Sequence, residues 1–142
     1  MRRYLEFAVV VSVIAILAAT AMYALDHARG QAEESGLQME VMAIRAQLME
    51  VAVHRETFGG GLPSSNNPID WIATRPANYL GVLADAPETG GRWYFHSQSG
   101  ELVYRFHDGH LARFRLSREA GRSDGRGMPA GIGLLRLPDQ RQ

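Results

Sequence analysis

Glu6 is the residue whose chemistry is least expected in its surroundings. It precedes Phe7 and an uncharged apolar run that continues to Leu25. A carboxylate carried to the middle of a bilayer would cost about 2.5–3.5 kcal/mol, so Glu6 needs a partner there. In one interpretation it lies in the headgroup region and pairs with Arg2 or Arg3, which are four and three residues earlier on the same helical face. In the other it meets the amino terminus of a neighbouring subunit and sets the register of helix packing.

Histidine is the other residue type that could bind a ligand. His96, His107 and His110 lie near predicted hairpin turns, but the chain has no cysteine and these histidines follow no metal-ligand spacing. We interpret them as solvated turn residues and expect no metal site. Two aspartates near the C-terminus, Asp124 and Asp139, form no oxygen-rich series for calcium.

The sequence carries no recognisable catalytic motif. Gly59, Gly60 and Gly61 have no following lysine, so they do not form a phosphate-binding loop. Ser64 and Ser65 lack the context of a nucleophile elbow. We therefore predict a protein that is not an enzyme and that has no cofactor and no small-molecule substrate.

Composition limits the partners further. The 142 residues include 15 basic and 15 acidic side chains, so the formal net charge is zero and no global field attracts nucleic acid. The length suits one ordinary domain and one additional segment. Membrane attachment, if present, must come from apolar sequence.

Residues 1–27 are predicted to be the transmembrane half of a long helix. The run at 7–25 is long enough to cross the hydrocarbon core. A cleaved signal peptide is disfavoured, because the run exceeds a usual signal core and no cleavage site follows it. Arg2 and Arg3 before the run predict a cytoplasmic N-terminus, a single pass through the bacterial inner membrane and a periplasmic C-terminal domain.

Residues 28–57 are predicted to be the amphipathic half of the same helix. One apolar stripe recurs at intervals of three and four residues, and the glycines at 59–61 end the helix. A second apolar set either widens the buried face or forms a soft surface for partner helices. The first stripe is Leu37, Val41, Ile44, Leu48 and Val51; the second set is Met39, Met42, Ala46, Met49 and Val53.

Residues 58–90 are predicted to be a loop region with one short helix near 68–74. Asn67 is a good N-cap, Pro68 suits the first turn, and Asp70 adds an acidic residue there. Arg75 before Pro76 ends this helix.

Residues 91–137 are predicted to form an antiparallel sheet, followed by a tail at 138–142. The alternation of apolar and polar residues predicts a three-stranded meander with one apolar face. The register depends on whether each hairpin loop has an even or an odd number of residues. The predicted pairs are Trp93 with Tyr104, Phe95 with Leu102, Tyr104 with Ala112, and Leu102 with Phe114; Phe106 and Leu116 complete the face. A last strand is predicted near 132–137. The fold class is α+β, with the long helix packed on the meander.

The N-terminal sequence resembles a known family. Tyr4, Leu5, Glu6 and Phe7, followed by AVVVSVIAILAA, are similar to the start of type IV pilins and type II secretion pseudopilins. Further on, NPIDW, RPANYLG, RWYF and GELVYRF resemble short pilin-like proteins, including those of mannose-sensitive haemagglutinin pili. The resemblance implies that Glu6 occupies the place of the family glutamate that neutralises an adjacent subunit's N-terminus.

Family precursors carry a short leader ending in glycine, and counting back from Glu6 places the first mature residue at Arg2. Three explanations stay open: a leader already removed, a misplaced start codon, or a leaderless relative. The resemblance implies a subunit or accessory of a pilus or type II secretion machine. Its expected partners are inner-membrane lipid and other pilin-like or assembly proteins, and Glu6 and Phe7 are its expected assembly residues. The alternative is a monomeric, membrane-anchored periplasmic domain that binds a partner.

Overall fold

The computed structural model describes residues 1–118 and 132–138. Within them, the chain forms two compact units, Met1–Leu37 and a second that begins at Gln38. The elements are helix α1 (Arg2–Phe58), a 3-10 helix (Pro68–Asp70) and strands β1 (Tyr79–Leu83), β2 (Arg92–His96), β3 (Glu101–Arg105), β4 (Leu111–Ser117) and β5 (Gly133–Arg136). The fold is α+β, as the sequence predicted.

Helix α1 runs unbroken from Arg2 to Phe58, which confirms the predicted long helix. No proline interrupts this stretch, and the helix continues through Gly30 and Gly36. It ends where Gly59 and Gly60 adopt φ angles of 76° and 130°. Residues other than glycine rarely adopt these positive φ angles, so the glycines explain why the helix ends there.

The short helix is confirmed, but it is shorter than predicted. It is one turn of 3-10 helix, Pro68–Asp70, and the Asn67 Oδ1 accepts a hydrogen bond from the Ile69 backbone N–H at 3.1 Å. Asn67 is thus the cap that its position predicted. The chain turns inward directly afterwards, because Trp71 and Ile72 are both buried and the Trp71 indole donates to the Ser65 carbonyl at 2.8 Å.

The meander has the predicted register. Strands β2 and β3 are antiparallel, as are β3 and β4. Gly109 has a φ of 94°, which supplies the left-handed residue expected in the second hairpin turn. All four predicted pairs are present: Trp93 with Tyr104, Phe95 with Leu102, Tyr104 with Ala112, and Leu102 with Phe114.

The loop region predicted at 58–90 contains a strand that the sequence did not predict. Tyr79–Leu83 forms β1, which pairs in parallel with β2 at the edge of the sheet. The register shifts between Tyr79 and Val82, where Gly81 has a φ of 104°. This irregularity interrupts the side-chain alternation that would have identified a strand. The sheet is therefore mixed, and it contains more than the predicted antiparallel strands.

The other edge of the sheet agrees with the prediction. Gly133–Arg136 forms β5, antiparallel to β4, so the strand order is β1-β2-β3-β4-β5. Of the predicted tail at 138–142, residues 139–142 lie outside the described residues, as do residues 119–131.

Most of the predicted core is buried. Val51 and Leu116 are the exceptions, since both are only half-buried, and Ala52 is buried in the turn where Val51 was expected. Other buried residues were not predicted, among them Ile69, Trp71, Tyr94, Val103 and Leu134. The predicted core residues that are buried are Leu37, Val41, Ile44, Leu48, Trp93, Phe95, Leu102, Tyr104, Phe106 and Phe114.

Candidate assembly surface

The unit Met1–Leu37 consists of helix α1 alone, and it contains the predicted assembly residues. Glu6 is exposed and Phe7 is 70% exposed, as are the apolar residues around them. The helix is long and apolar enough to cross a membrane, and this segment is close to the N-terminus. It is therefore an apolar surface that no other part of its own unit covers.

Two hydroxyl groups in this segment are satisfied by the helix itself. Ser12 Oγ donates to the Ala8 carbonyl at 2.8 Å, and Thr20 Oγ1 donates to the Leu17 carbonyl at 2.9 Å. Such bonds remove the cost of leaving a hydroxyl unpaired in lipid. Glu6 differs from them. Among residues 1–118 and 132–138, it forms no ion pair with an arginine, so the pairing with Arg2 or Arg3 is absent from the structure.

In the second unit, three polar contacts fix α1 against the sheet and the loop. Glu40 accepts a hydrogen bond from the Trp93 indole N–H. The Arg45 guanidinium donates twice to the Leu134 carbonyl, at 3.1 Å from Nε and 2.8 Å from Nη2. The Gln47 Oε1 accepts from the Thr74 backbone N–H at 3.1 Å. Together they determine which helix face meets the sheet.

The opposite face of α1 in this unit is exposed. Met39 is 72% exposed and Met42 is 64% exposed, so these residues do not widen the buried face. The interpretation of the second apolar set as part of the core was wrong. We refer to this set, Met39, Met42, Ala46, Met49 and Val53, as the methionine stripe.

Helix α1 exposes apolar side chains in each of the two units, and any proposed function must account for them. No protein-family model, curated protein or solved structure matches the chain. The resemblance to pilins is thus carried by the residues quoted for it.

The clefts formed by the described residues of the second unit include the following two. One of about 340 Å³ lies beside the end of α1 and is lined by residues that include His54, Arg55 and Trp71. The Arg118 guanidinium lies 5.6 Å from the centre of the Trp71 ring and donates to the carbonyls of Pro63 and Ser64 at 3.3 Å. These contacts hold the loop around residues 63–71 in place.

The second cleft, of about 230 Å³, lies on the outer face of the sheet beside Tyr94, Glu101 and Arg113. Burial raises the pKa of Tyr94, and the nearby Arg113 and Arg105 oppose this more weakly. Glu101 is buried at the start of β3, and its Oε1 lies 2.7 Å from Nη2 of Arg115. His96 and Ser99 also line this cleft, and the Ser99 hydroxyl lies within hydrogen-bond distance of the His96 ring.

The three histidines do not form a common site. Nδ1 of His96 lies 2.8 Å from Ser99 Oγ, and the His110 ring stacks on Phe106 with centroids 3.7 Å apart. Burial raises the pKa of Asp108, but hydrogen bonds from His110 outweigh it and leave that pKa below its usual value. Across residues 1–118 and 132–138, no group of three or more histidine, aspartate or glutamate side chains could hold a metal ion.

Sequence reasoning missed two charged residues beside the methionine stripe. Arg45 and Glu50 are both exposed and stand five residues apart. The signal was present in the sequence, because oppositely charged residues at this spacing commonly flank the apolar positions of a coiled coil.

Proposed function

We propose that this protein is a non-enzymatic, pilin-like subunit or accessory of a type IV pilus or type II secretion machine. It assembles through packing of its N-terminal helix. The observation that carries the proposal is the exposed, uncharged apolar segment at 7–25 within α1. Exposed patches of this kind mark interaction sites with membranes or other proteins.

The fold supports this proposal. The second unit places the end of α1 on a small sheet, through contacts such as Glu40 to Trp93 and Arg45 to Leu134. A membrane helix that continues into such a domain matches what the resemblance to pilins implies. Because the segment is long enough to span the bilayer, it anchors the domain by itself.

Orientation follows from the flanking charges. Arg2 and Arg3 precede the span, so the positive-inside bias places the N-terminus in the cytoplasm and the sheet domain in the periplasm. Glu6 then lies at the cytoplasmic edge of the span, where it neutralises the amino terminus of an adjacent subunit. This role gives the carboxylate a cationic partner at the boundary of the apolar segment.

The first experiment tests anchoring and topology. The full-length protein should stay with the membrane fraction after alkaline extraction, and protease added to spheroplasts should degrade the sheet domain. Recovery of the full-length protein in the aqueous fraction, or protection of the sheet domain from external protease, would contradict the proposal.

The second experiment tests Glu6. Replacing Glu6 by alanine should abolish crosslinking of the full-length protein to neighbouring pilin-like subunits while the protein remains in the membrane. Glu56→Ala is the matched control, because Glu56 is an exposed carboxylate on the same helix but outside the apolar segment. Crosslinks that survive Glu6→Ala would contradict the role of Glu6 in assembly. If the natural protein forms no such crosslinks, and Glu6→Ala leaves its membrane localisation and partner binding intact, the alternative of a monomeric, membrane-anchored domain that binds a periplasmic partner is favoured instead.

A further inference from the structure

The methionine stripe has the spacing of a coiled-coil seam. Its members recur at alternating intervals of three and four residues, which correspond to the a and d positions of a heptad. Met39, Met42, Met49 and Val53 are 72%, 64%, 40% and 39% exposed, and Ala46 is also exposed. Methionine side chains adapt their shape readily, which suits them to packing against another helix.

The sheet does not cover this stripe. Each residue of an α-helix is rotated by about 100° from the one before, so the centre of the stripe lies about 150° around the helix from the centre of the sheet-facing residues. Those sheet-facing residues are Val41, Ile44 and Leu48, all of them buried. One face of α1 is therefore used within the chain, and the opposite face is available to a second helix.

The charges beside the stripe indicate what that second helix is. Arg45 and Glu50 occupy the g and e positions that flank the seam. In a parallel, in-register pair of identical helices, the g residue of one copy faces the e residue of the next heptad in the other. Arg45 of each copy would thus face Glu50 of the other, and two-fold symmetry would form this pair twice.

The Arg45 guanidinium is held by the sheet. Two of its guanidinium nitrogens donate to the Leu134 carbonyl, while the residue as a whole stays exposed. Holding the guanidinium in place lowers the entropy that an exposed ion pair normally loses on forming. In the sequence, the same spacing continues back from Met39 through Ser35, Ala32 and Ala28 without a charged residue.

We infer that the methionine stripe packs against the same stripe of a second copy of this chain, in a parallel and in-register helix pair. The inference rests on the proposed membrane-anchored assembly, because two copies that cross one bilayer with the same topology present their helices in the same direction. The heptad spacing requires a left-handed supercoil.

Cysteine crosslinking tests the pair, since the natural chain has no cysteine and single substitutions can be read without background. The full-length variants Met42→Cys and Met49→Cys, oxidised in membranes, should form disulfide-linked dimers. His54→Cys is the matched control, being exposed on the same helix but off the stripe. We expect about tenfold more dimer from the stripe positions, because a disulfide requires close approach of the two Cβ atoms.

Exchanging the charges of Arg45 and Glu50 tests whether the partner helix is a second copy of this chain. In the Met42→Cys background, Glu50→Arg should lower the dimer yield by about fivefold, because it places two cations opposite each other. Adding Arg45→Glu to the same chain should restore the yield. Since Arg45→Glu also removes the bonds to Leu134, mixing chains that carry only Glu50→Arg with chains that carry only Arg45→Glu provides a second measurement. The mixed dimer should exceed either homodimer.

Three results would overturn the inference: equal yields from Met42→Cys and His54→Cys, crosslinks between Met39→Cys and Val53→Cys instead of like positions, or a product that is not two copies of this chain. Fractionation of the same samples separates this failure from that of the proposed function. Membrane-bound protein with Glu6-dependent crosslinks but no stripe dimer refutes only the helix pair. Protein in the aqueous fraction refutes the proposed function itself.

Discussion

The carboxylate of Glu40 on α1 accepts a hydrogen bond from the indole N–H of Trp93 on β2. Trp93 is completely buried, and its ring packs against Tyr104 and Phe114 with centroids 5.1 and 5.6 Å away. The one polar atom of this side chain therefore depends on the helix for its partner. This bond fixes the rotation of α1 on the sheet, and with it the direction in which the methionine stripe faces.

Replacing Glu40 by leucine should destabilise the sheet domain by about 1–3 kcal/mol, because the buried indole N–H loses its acceptor. Glu40→Gln keeps an amide oxygen at the same place, so its cost should be smaller. Denaturant unfolding of the full-length protein in detergent, followed by tryptophan fluorescence, measures both. Equal unfolding free energies for the leucine variant and the natural protein would show that the bond contributes nothing to stability.

Gly90 should not tolerate any side chain. A Cβ at this position would lie 2.5 Å from both the Cα of His107 and the carbonyl oxygen of Phe106, and neither backbone atom can move freely. Gly90→Ala should therefore disrupt the start of β2, with a loss of several kcal/mol. Gly61→Ala is the control, since nothing lies within 4 Å of a Cβ there and its φ is not positive. Thermal unfolding followed by circular dichroism compares the two variants.

The register of the meander could be predicted because side-chain alternation leaves few choices. If Phe95 and Leu102 share a face, the first hairpin must have an even loop, and the same parity argument sets Leu102 against Phe114. The end of α1 was equally well determined, since three consecutive glycines follow it. Residues close together in the sequence determine both the register of the meander and the end of α1.

Contacts between distant parts of the chain could not be predicted in the same way. Strand β1 is stabilised by parallel pairing with β2 across a register shift at Gly81, and no local pattern signals such pairing. The methionine stripe has the composition of a buried face, and only the position of the sheet shows that it is exposed. The Arg45 bond to the Leu134 carbonyl depends on where β5 lies, and spacing along the helix carries no information about that.

Stability should fall at alkaline pH because of Tyr94. Burial raises the pKa of Tyr94 above its ordinary value of about 10, while Arg113 and Arg105 oppose the shift. Above that ordinary value the unfolded chain loses its proton first, so the native state binds more protons and stability declines as pH rises. Below it this contribution is fully present. Burial likewise raises the pKa of Tyr79, which should add to the decline.

The variant Tyr94→Phe should flatten this pH dependence without abolishing it, because Tyr79 remains. Unfolding free energies of the full-length protein measured from neutral pH to above the ordinary tyrosine pKa test the expectation. Tyr4→Phe is the control, since Tyr4 is 81% exposed. An unchanged slope in Tyr94→Phe, or an equal change in Tyr4→Phe, would assign the alkaline loss to other groups.

The ion pair between Glu101 and Arg115 should matter for stability because the two side chains are unequally buried. The Glu101 side chain is 8% exposed and that of Arg115 is 57% exposed, with Oε1 and Nη2 2.7 Å apart. Arg115→Met leaves a buried carboxylate without its cation, which should cost about 2 kcal/mol.

A double-mutant cycle separates this penalty from the net contribution of the pair. Adding Glu101→Leu to Arg115→Met removes the orphaned carboxylate, so the double variant should recover most of the lost stability. Arg115→Lys should cost less than Arg115→Met, since it keeps a cation but loses the geometry of the guanidinium. If the double variant is instead less stable than Arg115→Met alone, the carboxylate is satisfied by other groups, and the loss in the single variant reflects the packing of the arginine stem on the sheet.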